Sequence, residues 1–192
     1  MNSRPYQSES GQIQYEKWIL RASTEFTLGD WVTVTESTSG SYVDPAVTAD
    51  THNVYGLLVA FVDKDGLAYK TRTSGFDGTY TEAATGDTYT PASDNLTDKK
   101  VAGIVIPAVG MIFEATLDAA KGTTAGSDKV GINFDILSTD STLLDESSVS
   151  ATKAMFLSVP GVASDNPTSP LNSDSTTKIL VKVMELQRYH PV

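Results

Sequence analysis

The chain has 192 residues, no cysteine, and 14 basic against 24 acidic residues, a formal net charge of −10. That length suffices for one domain with a sizeable core, and the lack of cysteine excludes a disulfide framework, a thiolate metal site and a cysteine nucleophile. Because the basic residues are scattered and the acidic ones dominate, neither nucleic acid nor an anionic membrane is an expected partner.

The opening MNSRPYQSESGQIQYEK has no apolar h-region, and no apolar run in the chain approaches the roughly 18 residues of a membrane span. The expectation is a protein made in, and retained by, the cytoplasm unless something carries it out. Residues 1–14 are polar, with Tyr6 and Ile13 as isolated apolar points and Gly11 as a breaker. Too polar to join a core, they read either as a frayed terminus or as an extended arm that orders on a neighbouring subunit or surface. Residues 15–192 read as one β-rich domain.

From Tyr15 onward, short runs rich in β-branched and aromatic residues are bounded by Gly, Asp, Ser and Pro, the pattern of strands. Residues 15–20 and 31–36 are the first two; in WVTVTE the partial alternation predicts one buried and one wet face. VYGLLVAFV, then DKDG, then LAYKTR reads as a β-hairpin over 54–72 turned at Asp65-Gly66, and Gly56 within it marks a bulge or a close backbone approach. Residues 73–100 read as a long Gly/Thr/Asp-rich loop in which Tyr80 and Tyr89 are candidate contact residues. VAGIVIP and GMIFEATL are two apolar strands, VGINFDIL and AMFLSV two more, and TLLDESSVSA a short helix or loop between them. Residues 160–177 form a second long loop. In the closing KILVKVMEL, Ile179, Val181, Val183 and Glu185 fall on one face and Lys182 on the other. With no helical periodicity beyond two turns, the fold class is all-β, a sandwich or barrel of about eight to ten short strands with long polar loops.

The motif search yields no chemical site. Asp63-Lys64-Asp65-Gly66 begins like a calcium loop, but a strand pattern follows and no Glu closes twelve residues, so it reads as a hairpin turn. The two histidines, His52 and His190, lie in unlike contexts without G-x-S-x-G or H-E-x-x-H, and read as surface or interface residues. Carboxylate pairs such as Asp140 with Asp145 and Glu146, or Asp118 with Asp128, are too abundant to mark a glycosidase, and Trp18 and Trp31 lie in strand-like runs suited to a core. Asn95-Leu96-Thr97 is a sequon without a secretory signal, and GTTAG lacks the Lys-Ser/Thr of a P-loop. No catalytic, metal or cofactor-binding residue is expected, and no enzyme.

The order of VYGLLVAFVDKDG, then DNLTDKKVAGIVIPAVGMIFEATLDAAKGTTAGSDKVGINFDIL, then LLDESSVSATKAMFLSV resembles the decoration, or cement, proteins on the heads of tailed bacteriophages. The resemblance covers residues 31–183 and is best over 101–137. It implies a structural virion protein on the capsid exterior that stabilises the head by bridging major capsid proteins, with the major capsid protein and its own copies as partners in a homotrimer. On that reading Tyr6, Ile13 and Tyr15 are candidate capsid or subunit contacts, and the small residues of FEATLDAAKGTTAGSDKVG, with Gly122, Gly126 and Gly131, form a surface turn. The alternative is a carbohydrate-binding or adhesin-like β-domain of a phage tail or fibre, with Tyr80 and Tyr89 as stacking residues. A hydrolase using a carboxylate pair is the second rival.

Overall fold

The computed structural model describes residues 3–38, 40–46, 54–63, 78–82 (backbone only), 87–95, 101–120, 131–148, 156–159 and 177–184. These build strands and one 3-10 turn, with no α-helix, so the all-β expectation holds. The strands are β1 (Arg4–Ser8), β2 (Glu16–Ile19), β3 (Phe26–Thr27), β4 (Trp31–Ser37), β5 (Gly40–Pro45), β6 (Gly56–Asp63), β7 (Gly78–Glu82), β8 (Asp87–Pro91), β9 (Val101–Pro107), β10 (Met111–Leu117), β11 (Asn133–Leu137), β12 (Asp140–Asp145), β13 (Phe156–Ser158) and β14 (Lys178–Val183). Fourteen exceeds the eight to ten expected, because several polar segments read as loops are strands.

Three sheets organise them. In the first, β10, β12, β11, β13 and β14 follow one another and β14 returns to pair with β10, closing a five-stranded barrel, with β1 added outside the ring. The second has the order β2-β9-β6-β4-β5 and nearly closes as well, through a parallel bridge between Leu20 and Val43. The third, β3-β8-β7, is small and contributes Phe26 and Tyr89 to the interior of the second.

Alternation along β4, β6 and β9 divides the interior into two cores. Trp31, Leu57 and Ile106 enter the larger one, beside the barrel residues Phe113, Phe134, Ile136, Phe156 and Val181. Their neighbours Val32, Leu58 and Val105 enter the other, with Leu20, Val43, Phe61 and Tyr89. A strand whose successive side chains point to opposite faces serves two cores only if both faces are covered. The wet face expected of β4 is therefore confined to its distal half, where Thr33 and Thr35 are partly exposed. Trp31 lies at the centre of the larger core, its ring edge-on to Phe113 at 5.0 Å and tilted to Phe156 at 4.6 Å, arrangements that favour aromatic pairs beyond the area they bury.

Other expectations resolve in particular ways. Gly56 is a close approach, since a Cβ there would lie 2.3 Å from the carbonyl oxygen of Ile106 on the paired strand. The bulge in β6 falls later, between Leu58 and Ala60. The turn and second strand of the 54–72 hairpin lie outside the described residues, as do 121–130, with Gly122 and Gly126, 160–176, and Glu185. Within 73–100, β7 and β8 form an antiparallel hairpin with Tyr80 opposite Tyr89, because Thr and Tyr suit a half-buried pleat despite the Gly-rich surroundings. TLLDESS is β12 followed by a 3-10 turn over Glu146–Ser148: Thr142 and Leu144 are buried alternately, and β12 pairs antiparallel with β11 and parallel with the end of β10.

Candidate interaction surface

The arm is the first departure that bears on function. Arg4–Ser8 is a strand of this chain's own barrel sheet, antiparallel to β10 with Arg4 opposite Glu114 and Ser8 opposite Met111. Phe113 and Glu114 pair with β14 on one edge and with β1 on the other, whereas β12 reaches only Thr116 and Leu117 on that second edge. β1 thus covers the part of the β10 edge that β12 leaves open, which an exposed strand edge favours. Polarity does not prevent this, because ion pairs replace apolar burial. Arg4 holds the carboxylate of Glu114 with both Nε (3.1 Å) and Nη2 (3.3 Å), and Lys178 Nζ approaches the same group at 3.7 Å. Lys182 donates to Glu9 at 2.7 Å.

The large apolar residues exposed among those described are Tyr6, Ile13, Tyr15, Val109 and Met184, at 38% to 63% exposure. Strand register places them around one corner. Tyr6 falls where the pairing of β1 with β10 shifts between Pro5 and Gln7, the position of a bulge. Glu16 pairs with Val105, so counting back sets Tyr15 level with Ile106 and Ile13 level with Ala108. Val109 is in the turn between β9 and β10, where Gly110 adopts φ of 66° and its carbonyl accepts from the Glu9 amide at 2.8 Å. Lys182 pairs with Ile112, which sets Met184 level with Gly110. A cleft of about 290 Å³ runs between arm and corner, lined among others by Glu9, Gln12, Gln14, Pro107, Val109 and Met111.

The three candidate contacts singled out in the sequence, Tyr6 and Ile13 of the arm and Tyr15 beside it, are all exposed. Tyr89 is a correction: it is fully buried, its ring 5.6 Å from that of Phe61, because it faces inward from β8 toward the second core. It offers no loop contact. Only the backbone of Tyr80 is described. Val109 and Met184 were missed, and the AVG turn between two apolar strands was the available signal for the first.

The carboxylates considered as catalytic pairs serve local structure. Asp140 accepts from the Thr142 amide and hydroxyl, Asp145 from the Ser147 amide and hydroxyl, and Asp118 from the Glu146 amide at 2.8 Å. The first two are local turn bonds, and the third ties the end of β10 to the 3-10 turn. Glu16 accepts from the Trp18 indole and the Tyr55 hydroxyl. The sequon residue Asn95 is buried, its amide donating to the carbonyls of Leu20 and Val101 and its oxygen accepting from the Val101 amide. Among the described residues no group of three or more His, Cys, Asp or Glu is placed to hold a metal. His52, His190 and Asp128 lie outside them.

One buried acid had no sequence signal. Asp30, 2% exposed, ends the β3–β4 turn. Its Oδ2 accepts from the Thr27 amide at 2.7 Å and its Oδ1 from the Ser141 hydroxyl of β12 at 2.7 Å. Burial, opposed by those two bonds and assisted by the negative charges of Asp140 and Glu25, raises its pKa from 3.8 to about 7. No family model matches this chain, and no curated protein or solved structure is significantly similar to it.

Proposed function

We propose that the protein is a non-enzymatic structural component of a phage virion, a decoration protein that binds the capsid exterior and stabilises the head by bridging major capsid proteins. The supporting observation is the gathering of Tyr6, Ile13, Tyr15, Val109 and Met184 around the arm and the β9–β10 corner, while the other large apolar side chains among the described residues are buried or partly buried. Exposed apolar residues grouped in this way mark a contact surface. The mechanism is mass action: a protein that binds the assembled lattice and not its separated subunits stabilises the lattice in proportion to occupancy. Its own copies are further partners, as a homotrimer. The acidic surface keeps a high-copy exterior protein soluble and away from DNA. The carbohydrate-binding reading is weakened, since Tyr89, one of its two stacking rings, is buried.

The test is co-sedimentation of the purified protein with undecorated capsids. Saturable binding, reduced at least tenfold by Tyr15→Ser with Val109→Ser, supports the proposal. Failure to bind, or equal binding by the variant, refutes it.

A further inference from the structure

The joint around Asp30 is independent of the exposed corner. Asp30 belongs to the turn that enters β4 of the second sheet, and its backbone is tied to β6, its carbonyl accepting from the Leu58 amide at 2.9 Å. Ser141 belongs to β12 of the barrel. One carboxyl group therefore holds a backbone amide of its own turn on one oxygen and a hydroxyl of the other sheet on the second. A cleft of about 290 Å³ opens beside it, lined among others by Glu25, Thr27, Thr88, Asp140, Ser141 and Thr142. The charged groups that face it among the described residues are Glu25, preceding β3, and Asp140, opening β12. Both are acidic, and among the described residues no Lys or Arg lines the cleft.

We infer that Asp30 is a proton-dependent latch between the barrel and the second sheet, closed when the carboxyl is neutral and loosened when it ionises. A neutral carboxyl can still fill both positions, accepting from the Thr27 amide on one oxygen and, with its proton on the other, donating to the Ser141 oxygen in place of accepting from it. An ionised one accepts from both donors, but burial and the negative charges of Asp140 and Glu25 outweigh those bonds, and the buried charge is relieved by admitting water through the adjoining cleft.

The sign follows from linkage. Unfolded, the carboxyl titrates near 3.8, and folded near 7. Between those values the folded state holds the extra proton, so stability from the latch is full below the lower value and is lost as pH rises through the upper one. Over that window the folding equilibrium constant loses a factor approaching about ten per pH unit from this group.

The experiment compares urea unfolding of the full chain and of Asp30→Asn from pH 5 to 8.5, beside a carboxyl-carbon NMR titration of Asp30. Asparagine keeps the shape and the bond from the Thr27 amide, and its own amide donates to the Ser141 oxygen, but it cannot ionise. The expected result is a wild-type stability that falls relative to the variant as pH rises toward 7 and then runs parallel to it, with Asp30 titrating near neutrality. Asp140→Asn should move that titration downward, and amide exchange over residues 140–142 should rise above pH 7 by more than its intrinsic base-catalysed increase. Should Asp30→Asn fail to fold, the titrations of wild type and Asp140→Asn decide. Parallel profiles throughout, an Asp30 titration near 4, or no response to Asp140→Asn overturns the inference.

Discussion

Replacing Arg4 with alanine tests whether β1 is a working part of the barrel sheet. Glu114 is 2% exposed while Arg4 is 55% exposed, so the pair has one desolvated member and one wet member. A fully buried pair broken on one side costs about 3–5 kcal/mol because a charge is stranded, whereas an exposed pair is worth at most about 1 kcal/mol. Here the guanidinium is half wet and Lys178 remains at 3.7 Å, which puts Arg4→Ala at about 1–2 kcal/mol. Glu114→Gln removes the charge that Arg4 neutralises, so the double variant should be destabilised by less than the sum of the two single changes. The assay is urea unfolding in a double-mutant cycle at constant pH and low salt, with amide exchange over Arg4–Ser8 as a local readout. A loss below about 0.3 kcal/mol, or strict additivity, would refute the claim that this ion pair holds β1 to β10.

Gly56→Ala should cost about 3 kcal/mol or more in thermal or urea unfolding, since its Cβ would meet the Ile106 carbonyl oxygen at 2.3 Å and backbone must shift. Tyr89→Ala should destabilise the fold by about 3–5 kcal/mol as a core truncation, whereas Tyr15→Ala, at an exposed position, should change stability by no more than about 0.5 kcal/mol yet weaken capsid binding. Deleting residues 1–14 removes β1 and should lower both stability and capsid occupancy; a deletion that leaves stability unchanged would restore the reading of a free arm. His52→Ala and His190→Ala should leave capsid binding within about 1 kcal/mol.

The sequence was most readable where apolar content was high. VAGIVIP and GMIFEATL appear as β9 and β10 because continuous Val, Ile and Phe runs bounded by Pro and Gly have few alternatives to a buried strand. Polar strands escaped. RPYQS buries no side chain and DTYTP and DSTLLD only two each, and each also pairs with a strand distant in sequence. In WVTVTES the period was read correctly but its consequence was not, because a second core on the far face of the sheet exists only after the chain closes. Of the candidate contacts, Tyr6, Ile13 and Tyr15 were legible as apolar points in polar surroundings, while Tyr89 had the same local appearance and went inside. Asp30 was one acid among 24 acidic residues, and the hydroxyl that completes its site, Ser141, comes from a strand 111 residues further on.

The most direct measurement of the central claim is quantitative mass spectrometry of purified virions, comparing the copy number of this chain with that of the major capsid protein. The decoration account predicts a fixed, high ratio that is lost together with heat resistance when the protein is stripped from the heads and restored when it is added back. Absence of the chain from virions, or a few copies confined to tails, would contradict it.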